Sequence, residues 1–86
     1  MANLENNSID TRTFTQFCEG LTKRQWVDLH CDITSKLKRS PQCVYKWKRG
    51  ETFPSSVSER VKISEIINRK FNILTRHWTL FPDPQL

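Results

Sequence analysis

The sequence predicts an all-α fold of four to five short helices arranged around two consecutive helices with a tight turn between them. Three observations support this prediction. Apolar residues recur at helical spacing through most of residues 13–71. Residues that favour helix caps stand at the ends of these apolar stretches. Only Arg39 and Ser40 separate the two central stretches, so the helices must cross at a steep angle.

The chain has 86 residues, enough for one small domain with a modest core. Its formal net charge is +5, and the excess is local. Residues 21–49 hold eight basic and two acidic residues, a net charge of +6, whereas residues 1–20 carry −2 and residues 50–86 carry +1. A local basic excess favours a polyanionic partner through counterion release, although a solvated charged face is the commoner cause of such a pattern.

The three cysteines Cys18, Cys31 and Cys43 do not form a metal-binding pattern. There is no Cys-x-x-Cys pair, and neither His30 nor His77 completes a zinc spacing, so we expect no metal and no cofactor. We expect Cys31 and Cys43 to be small, semi-buried core fillers. The odd count and the lack of a signal peptide predict reduced thiols and a cytoplasmic location. No apolar run approaches the roughly 20 residues needed to span a membrane.

The sequence contains no catalytic pattern. Gly20 and Gly50 are its only glycines, so a glycine-rich phosphate loop is excluded. No carboxylate pair and no Ser/His/Asp spacing stands out. We therefore predict no catalytic residues and a protein that is not an enzyme.

The first predicted helix follows a polar stretch. Residues 1–12 lack apolar periodicity and are predicted to be a flexible tail. Thr11 or Thr13 can cap a short helix, and Gly20 ends it. The apolar residues of this helix are Phe14, Phe17 and Cys18.

The second predicted helix runs from about Lys23 to Lys38. Thr22 and Gln25 form a capping-box pattern at its start. Steps of three, four and four residues then separate its apolar positions, which is a helical stripe. These positions are Trp26, Leu29, Ile33 and Leu37.

The third predicted helix is sharply bounded and has two different faces. Ser40 is a natural N-cap, Pro41 fits the first helical position, and Gly50 can adopt the left-handed conformation that ends a helix. At about 100° per residue, Val44 and Trp47 point inward. The outward face carries Gln42, Tyr45, Lys46 and Arg49. A basic, amide-bearing helix of this kind suits the major groove of DNA.

The fourth predicted helix covers about residues 58–69, with Ser56 or Ser58 at its start. Residues 72–86 then form an extension that is too apolar to be disordered. Its large apolar residues are Ile73, Leu74, Trp78, Leu80 and Phe81. This extension packs back on the domain as a short helix or strand, or it covers a partner, which includes a two-fold interface with a second copy.

Five positions of the central segment resemble the second and third helices of the Cro/repressor-like helix-turn-helix family. These positions are Ser40, Val44, Trp47, Gly50 and Pro54. In that family, the residue at the place of Ser40 opens the recognition helix, and those at the places of Val44 and Trp47 fill the core. The residue at the place of Gly50 ends the helix, and the one at the place of Pro54 follows in the loop. The resemblance covers about residues 13–71 and implies a lambda-repressor-like helix-turn-helix domain there. It also implies a small bacterial or phage regulator that binds double-stranded DNA.

The chain departs from the family pattern in two places. Thr22 and Trp47 stand 25 positions apart, about seven more than the family shows. Seven residues are close to two helical turns, so the apolar stripe stays in phase with a longer second helix. Pro41 replaces a position that often reads bases, and it can offer only apolar contact because it lacks an N–H.

The resemblance and the face pattern together predict the residues that contact DNA. They are Lys38, Arg39, Ser40, Gln42, Tyr45, Lys46 and Arg49. Gln42 can read adenine and Lys46 can reach guanine N7 or O6, because both face outward near the start of the helix. Ser40 caps the helix and can touch a phosphate. Tyr45 is either a phosphate contact or a shelf beside the core. The remaining basic residues would hold the DNA backbone.

These expectations favour a sequence-specific transcriptional regulator with helix 41–49 as the major-groove recognition helix. The resemblance implies a homodimer, because regulators of that family bind two half-sites about one helical turn of DNA apart. The alternative is a non-catalytic protein-interaction module of the same fold that presents the apolar extension to a partner. RNA binding fits the charge, but the chain lacks a series of exposed aromatic residues.

Overall fold

The computed structural model describes residues 9–82, which form five helices and two short strands. The elements in chain order are β1 (Ile9–Asp10), α1 (Phe14–Glu19), α2 (Lys23–Leu37), α3 (Pro41–Arg49), α4 (Val57–Phe71), β2 (Leu74–Thr75) and α5 (His77–Leu80). The predicted all-α fold of four to five short helices is confirmed. Within residues 9–82, no helix is both long enough and apolar enough to cross a membrane.

Reciprocal side-chain bonds begin the first two helices. In α1, Gln16 N donates to Thr13 Oγ1 at 3.2 Å, and Thr13 N donates to Gln16 Oε1 at 3.0 Å. In α2, the same pair of bonds joins Gln25 and Thr22 at 3.1 and 2.9 Å. Each box satisfies backbone donors that a helix start leaves unpaired. The structure therefore selects Thr13 as the first cap and confirms the capping box at Thr22.

The turn between α2 and α3 has three residues, one more than predicted. Lys38 leaves the helix in the left-handed conformation, with φ 57° and ψ 44°. For a residue other than glycine, this conformation raises the free energy by roughly 1–2 kcal/mol, because the Cβ approaches the following carbonyl oxygen. The left-handed conformation of Lys38 ends α2 one residue earlier than predicted and directs the chain toward Ser40, the N-cap of α3.

The fourth helix is longer than predicted at both ends. Its N-cap is Ser56, whose Oγ accepts a hydrogen bond from Glu59 N at 3.1 Å. Its C-cap is Asn72 in the left-handed conformation, with φ 55°. Asparagine tolerates this conformation better than most residues, so the helix ends there without a glycine.

The core lies between α2, α3 and α4 and is closed by α1 and α5. Its buried apolar residues are Phe14, Phe17, Cys18, Trp26, Leu29, Ile33, Val44, Trp47, Ile63, Ile66, Ile67, Leu80 and Phe81. The apolar stripe of α2 is confirmed, with Leu29 and Ile33 fully buried. The core therefore extends beyond residue 71, the predicted end of the helix-turn-helix domain.

The described part of the C-terminal extension, residues 72–82, packs on the domain, and residues 83–86 lie outside the described part of the chain. Leu80 and Phe81 are each 1% exposed. The Phe81 ring lies 5.2 Å from the ring of Phe14 and 6.2 Å from that of Phe53, measured between centroids. Trp78 is 60% exposed and is therefore not buried by its own domain, while its burial against a partner stays a prediction. Of the two burials that the sequence left open, the structure shows the intramolecular one for residues 80 and 81.

A buried polar cluster fixes the extension against α4. Ser64 Oγ donates to the carbonyl oxygen of Thr75 at 3.0 Å. The backbone N–H and the Oγ1 hydroxyl of Thr75 both donate to Asn68 Oδ1, at 2.7 and 2.8 Å. Buried polar groups need such partners, since an unpaired one costs about 1–3 kcal/mol. The cluster therefore specifies the position of β2 on α4.

The segment before α1 differs from the prediction of a flexible tail over residues 1–12. Ile9 pairs with Leu74, and Asp10 with Thr75, in a parallel two-stranded sheet. Arg12 Nη2 lies 2.6 Å from Asp10 Oδ2, and this hydrogen bond lowers the pKa of that carboxyl group. Residues 9–12 thus contact the domain, because β2 offers β1 a strand edge. Residues 1–8 lie outside the described part of the chain.

Candidate nucleic-acid interface

Local chemistry bounds α3 at both ends, as the sequence predicts. Ser40 Oγ accepts a hydrogen bond from Cys43 N at 3.2 Å, and Pro41 occupies the first turn. Gly50 ends the helix with φ 78°. A Cβ at this glycine would also lie 3.2 Å from Thr15 Oγ1. Position 50 therefore favours glycine for its left-handed backbone, and a larger residue there would also crowd the Thr15 side chain of α1.

The inner face of α3 fixes which residues face outward. Val44 is fully buried and Trp47 is 3% exposed, in a helix that contacts both α1 and α2. Any rotation of α3 about its axis would expose these side chains to water at a cost of about 25 cal/mol per Å² of apolar surface. The outer face is therefore held in one orientation by the core.

The outer face gathers four of the seven residues predicted to contact DNA. Gln42, Tyr45, Lys46 and Arg49 are all exposed and together line one open depression. Within residues 9–82, the Gln42 amide and the Lys46 ammonium group make no hydrogen bond or ion pair. Both groups are thus available to a ligand without breaking an internal contact.

Arg49 is exposed but begins from an ion pair. Its Nε lies 2.7 Å from Glu51 Oε2, and this hydrogen bond raises the pKa of Arg49 and lowers that of Glu51. The side chains are 54% and 52% exposed, so water screens the pair strongly. Glu51 therefore offsets part of the positive charge beside the depression, and a phosphate would compete with it for Arg49.

Arg39 and Lys38 occupy the turn that precedes α3. The Arg39 guanidinium contacts Glu59 at 2.7 Å and so joins the turn to the first turn of α4. The Glu59 side chain is only 16% exposed, which makes this pair less accessible to solvent than that of Arg49. Lys38 is exposed and has no ion pair among the described residues. Of these two bases, Lys38 is the one that projects without an internal partner.

Tyr45 combines exposure with contact to an aromatic cluster. Its ring centroid lies 5.5 Å from that of Trp26 and 5.0 Å from that of His30, and the residue is 40% exposed. These contacts match the shelf beside the core that the sequence offered as one of two roles. The ring edge is thereby held at the rim of the depression, with less rotamer freedom to lose on binding.

Lys48 and His30 also belong to this cluster, although the sequence pattern assigned them no role. Lys48 Nζ lies 4.6 Å above the Trp26 ring, a cation–π contact. His30 Nε2 lies 3.4 Å from the carbonyl oxygen of Pro41. The available sequence signal for His30 is its position four residues after Trp26 in α2, which places both side chains on one face of the helix. These contacts tie α2 to both ends of α3.

The cysteines do not add a site. Cys18 is buried, and burial raises the pKa of its thiol to about 12, which leaves it protonated and unreactive at neutral pH. Cys31 is exposed, contrary to the expectation of a semi-buried filler, whereas Cys43 is partly buried as expected. Within residues 9–82, no cluster of histidine, cysteine and carboxylate side chains is arranged to hold a metal ion.

Comparison of the chain with protein-family models, curated proteins and solved structures finds no significant match. The functional assignment therefore depends on the residues themselves. The relevant features are the bounded α3, its fixed outer face and the unpartnered Gln42 and Lys46.

Proposed function

We propose that this protein is a sequence-specific DNA-binding transcriptional regulator that inserts α3 into the major groove. The observation that supports the proposal most is the shared, exposed depression of Gln42, Tyr45, Lys46 and Arg49 on a helix whose other face is locked in the core. An α-helix with this distribution of amide and basic groups fits the width of the major groove and the hydrogen-bond pattern of its base edges. No reaction is part of this function.

Gln42 and Lys46 are assigned to base readout. They stand one helical turn apart, and neither has an internal partner within residues 9–82. A glutamine amide can donate to and accept from adenine at the same time, and a lysine ammonium can donate to guanine N7 or O6. Tyr45 lies at the rim beside them and offers its hydroxyl to a phosphate.

The remaining positions are assigned to the DNA backbone. Lys38 and Arg39 precede α3 and Arg49 is its last residue, so all three place positive charge at the ends of the helix. Ser40 presents a hydroxyl at its start. Contacts to phosphates orient the protein on the duplex without reading sequence. Lys38 requires no rearrangement, whereas the two arginines would exchange a carboxylate for a phosphate.

The test of this proposal is duplex binding at graded salt concentrations. For one bound chain, three backbone contacts and one lysine at the bases predict a slope of log K against log salt of about −3 to −4, and a bound homodimer about twice that. The measurement is a fluorescence anisotropy titration against duplexes selected from a random pool. Recovery of no preferred sequence, together with a slope near zero, would contradict the proposed function.

Single substitutions separate readout from charge. Gln42→Ala and Lys46→Ala are each expected to weaken binding to the selected site by roughly 1–3 kcal/mol. Gln42→Ala should leave nonspecific binding nearly unchanged, because the residue is uncharged. Lys38→Ala should weaken binding to all sequences about equally. If Gln42→Ala left the sequence preference intact, the placement of this face in the groove would be wrong.

The proposal extends to a cytoplasmic regulator of bacterial or phage type, which acts on double-stranded DNA as a homodimer. The free cysteines Cys18, Cys31 and Cys43 support a reducing compartment. The alternative is a non-catalytic protein-interaction module, which the exposed Trp78 favours. A module of that kind would show no salt-dependent duplex binding.

A further inference from the structure

A second basic groove lies between α2 and α4. Two adjoining depressions form it, and they share no residue with the depression on α3. Its principal lining residues are Asp32, Lys36, Lys62, Glu65, Ile66 and Arg69. Lys36 lies in the last turn of α2, so the groove depends on the full fifteen-residue length of that helix. We call this feature the α2–α4 groove.

The α2–α4 groove carries an uncompensated positive charge. Within residues 9–82, Lys36, Lys62 and Arg69 make no hydrogen bond or ion pair. Asp32 cannot neutralise them fully, because it pairs with Lys70 at 2.9 Å. Among the described residues, Glu65 is the one acidic residue that remains unpaired on the lining. In this part of the chain, three free cations against one free carboxylate make the groove complementary to an acidic ligand.

The floor of the α2–α4 groove is apolar. Ile66 lines both depressions and is 7% exposed, so it offers a narrow apolar strip at the bottom of the groove. Lys62, Ile66 and Arg69 are spaced by four and three residues, so they follow one stripe along α4. Lys36 faces this stripe from α2. The chemistry that fits is an apolar group flanked by negative charges.

We propose that the α2–α4 groove binds an acidic peptide segment of a partner protein, with an apolar side chain placed between carboxylates. Nucleic acid fits the groove less well, because a phosphate backbone has no apolar group to set against Ile66. The groove leaves the outer face of α3 free. A partner could therefore be held while α3 carries out the function proposed above, although the groove does not depend on that function.

The experiment uses the full chain and a synthetic peptide of glutamate and leucine in which a leucine stands between glutamates at helical spacing. Fluorescence anisotropy measures binding of this peptide and of a version with serine in place of leucine. We expect the glutamate–leucine peptide to bind and the serine version to bind several-fold more weakly. Equal binding of the two peptides would show that Ile66 is not used and would overturn the proposal.

Paired double variants locate the contact. Lys62→Ala combined with Arg69→Ala is expected to weaken peptide binding about five- to tenfold, as loss of two exposed ion pairs predicts. Lys23→Ala combined with Arg24→Ala removes the same charge from the exposed start of α2 and should leave peptide binding unchanged. An equal loss in both variants would indicate nonspecific attraction and would overturn the proposal.

Nuclear magnetic resonance of the full chain distinguishes the possible ligands. Addition of the glutamate–leucine peptide should shift the amide signals of Lys36, Ile66 and Arg69 and leave Gln42 and Lys46 unaffected. Peptide-induced shifts confined to α3 would mean that the acidic peptide binds the proposed DNA-contact face and not the α2–α4 groove. Shifts at Lys36 and Arg69 on addition of duplex DNA in place of the peptide would assign the groove to nucleic acid. Either result would overturn the proposal.

Discussion

Replacing Trp47 with alanine is expected to lower the free energy of unfolding by about 3–5 kcal/mol. Trp47 is 3% exposed and is part of the core that α3 forms with its neighbours. Truncation removes its apolar contacts and leaves a cavity that the close-packed surroundings fill only in part. Domains of this size are stable by only about 5–15 kcal/mol, so the substitution should remove a large part of that stability. Urea denaturation followed by circular dichroism measures the change.

Trp78→Ala is the matched control for this prediction. It deletes the same side chain at a site that is 60% exposed, so the expected change is within about 0.5 kcal/mol. Two variants with equal denaturation midpoints would contradict the buried position of Trp47. The same comparison explains why Trp47→Ala is no probe of DNA contact, since destabilisation of the fold would weaken binding by itself.

Deletion of residues 73–86 is expected to destabilise the domain by at least about 5 kcal/mol, from the loss of one buried leucine and one buried phenylalanine. Leu80 and Phe81 are each 1% exposed, and Phe81 covers Phe14. The deletion also removes Thr75, which leaves Ser64 and Asn68 without their partner. The melting temperature should fall by about 20 °C or more, as measured by thermal denaturation.

The number of chains per particle should stay unchanged on this deletion, because the buried part of the extension contacts its own domain. Light scattering of the full and shortened chains measures it. Phe81→Ala serves as the milder variant and should cost about 3–5 kcal/mol while the rest of the extension is kept. A shortened chain that is equally stable but changes from dimer to monomer would instead make the extension the dimerisation element.

The features of α3 that the sequence predicted correctly are local ones. Ser40, Pro41 and Gly50 act within one turn of their own positions, and the spacing of Val44 and Trp47 follows from the helical period. Such information is contained in neighbouring residues, so it does not require knowledge of the fold. The same holds for the capping box of Thr22 and Gln25 and for the apolar stripe of α2.

The features that the sequence did not predict depend on residues distant in the chain. Arg39 and Glu59 are 20 positions apart, and nothing local indicates that they form an ion pair. The contact of His30 with Tyr45 requires α2 and α3 to be packed first. The burial of Phe81 and the exposure of Trp78 could not be told apart, because both are apolar residues of one short segment.

The sequence by itself determined the helical class, the ends of α3 and the set of residues on its outer face, because caps and periodicity act over a few residues. Tertiary structure alone decided that residues 9–12 join the domain, that Leu80 and Phe81 complete the core, and that α2 and α4 form a basic groove. Each of these depends on which surfaces remain uncovered after the helices pack. That outcome is set by long-range burial of apolar area rather than by local preference.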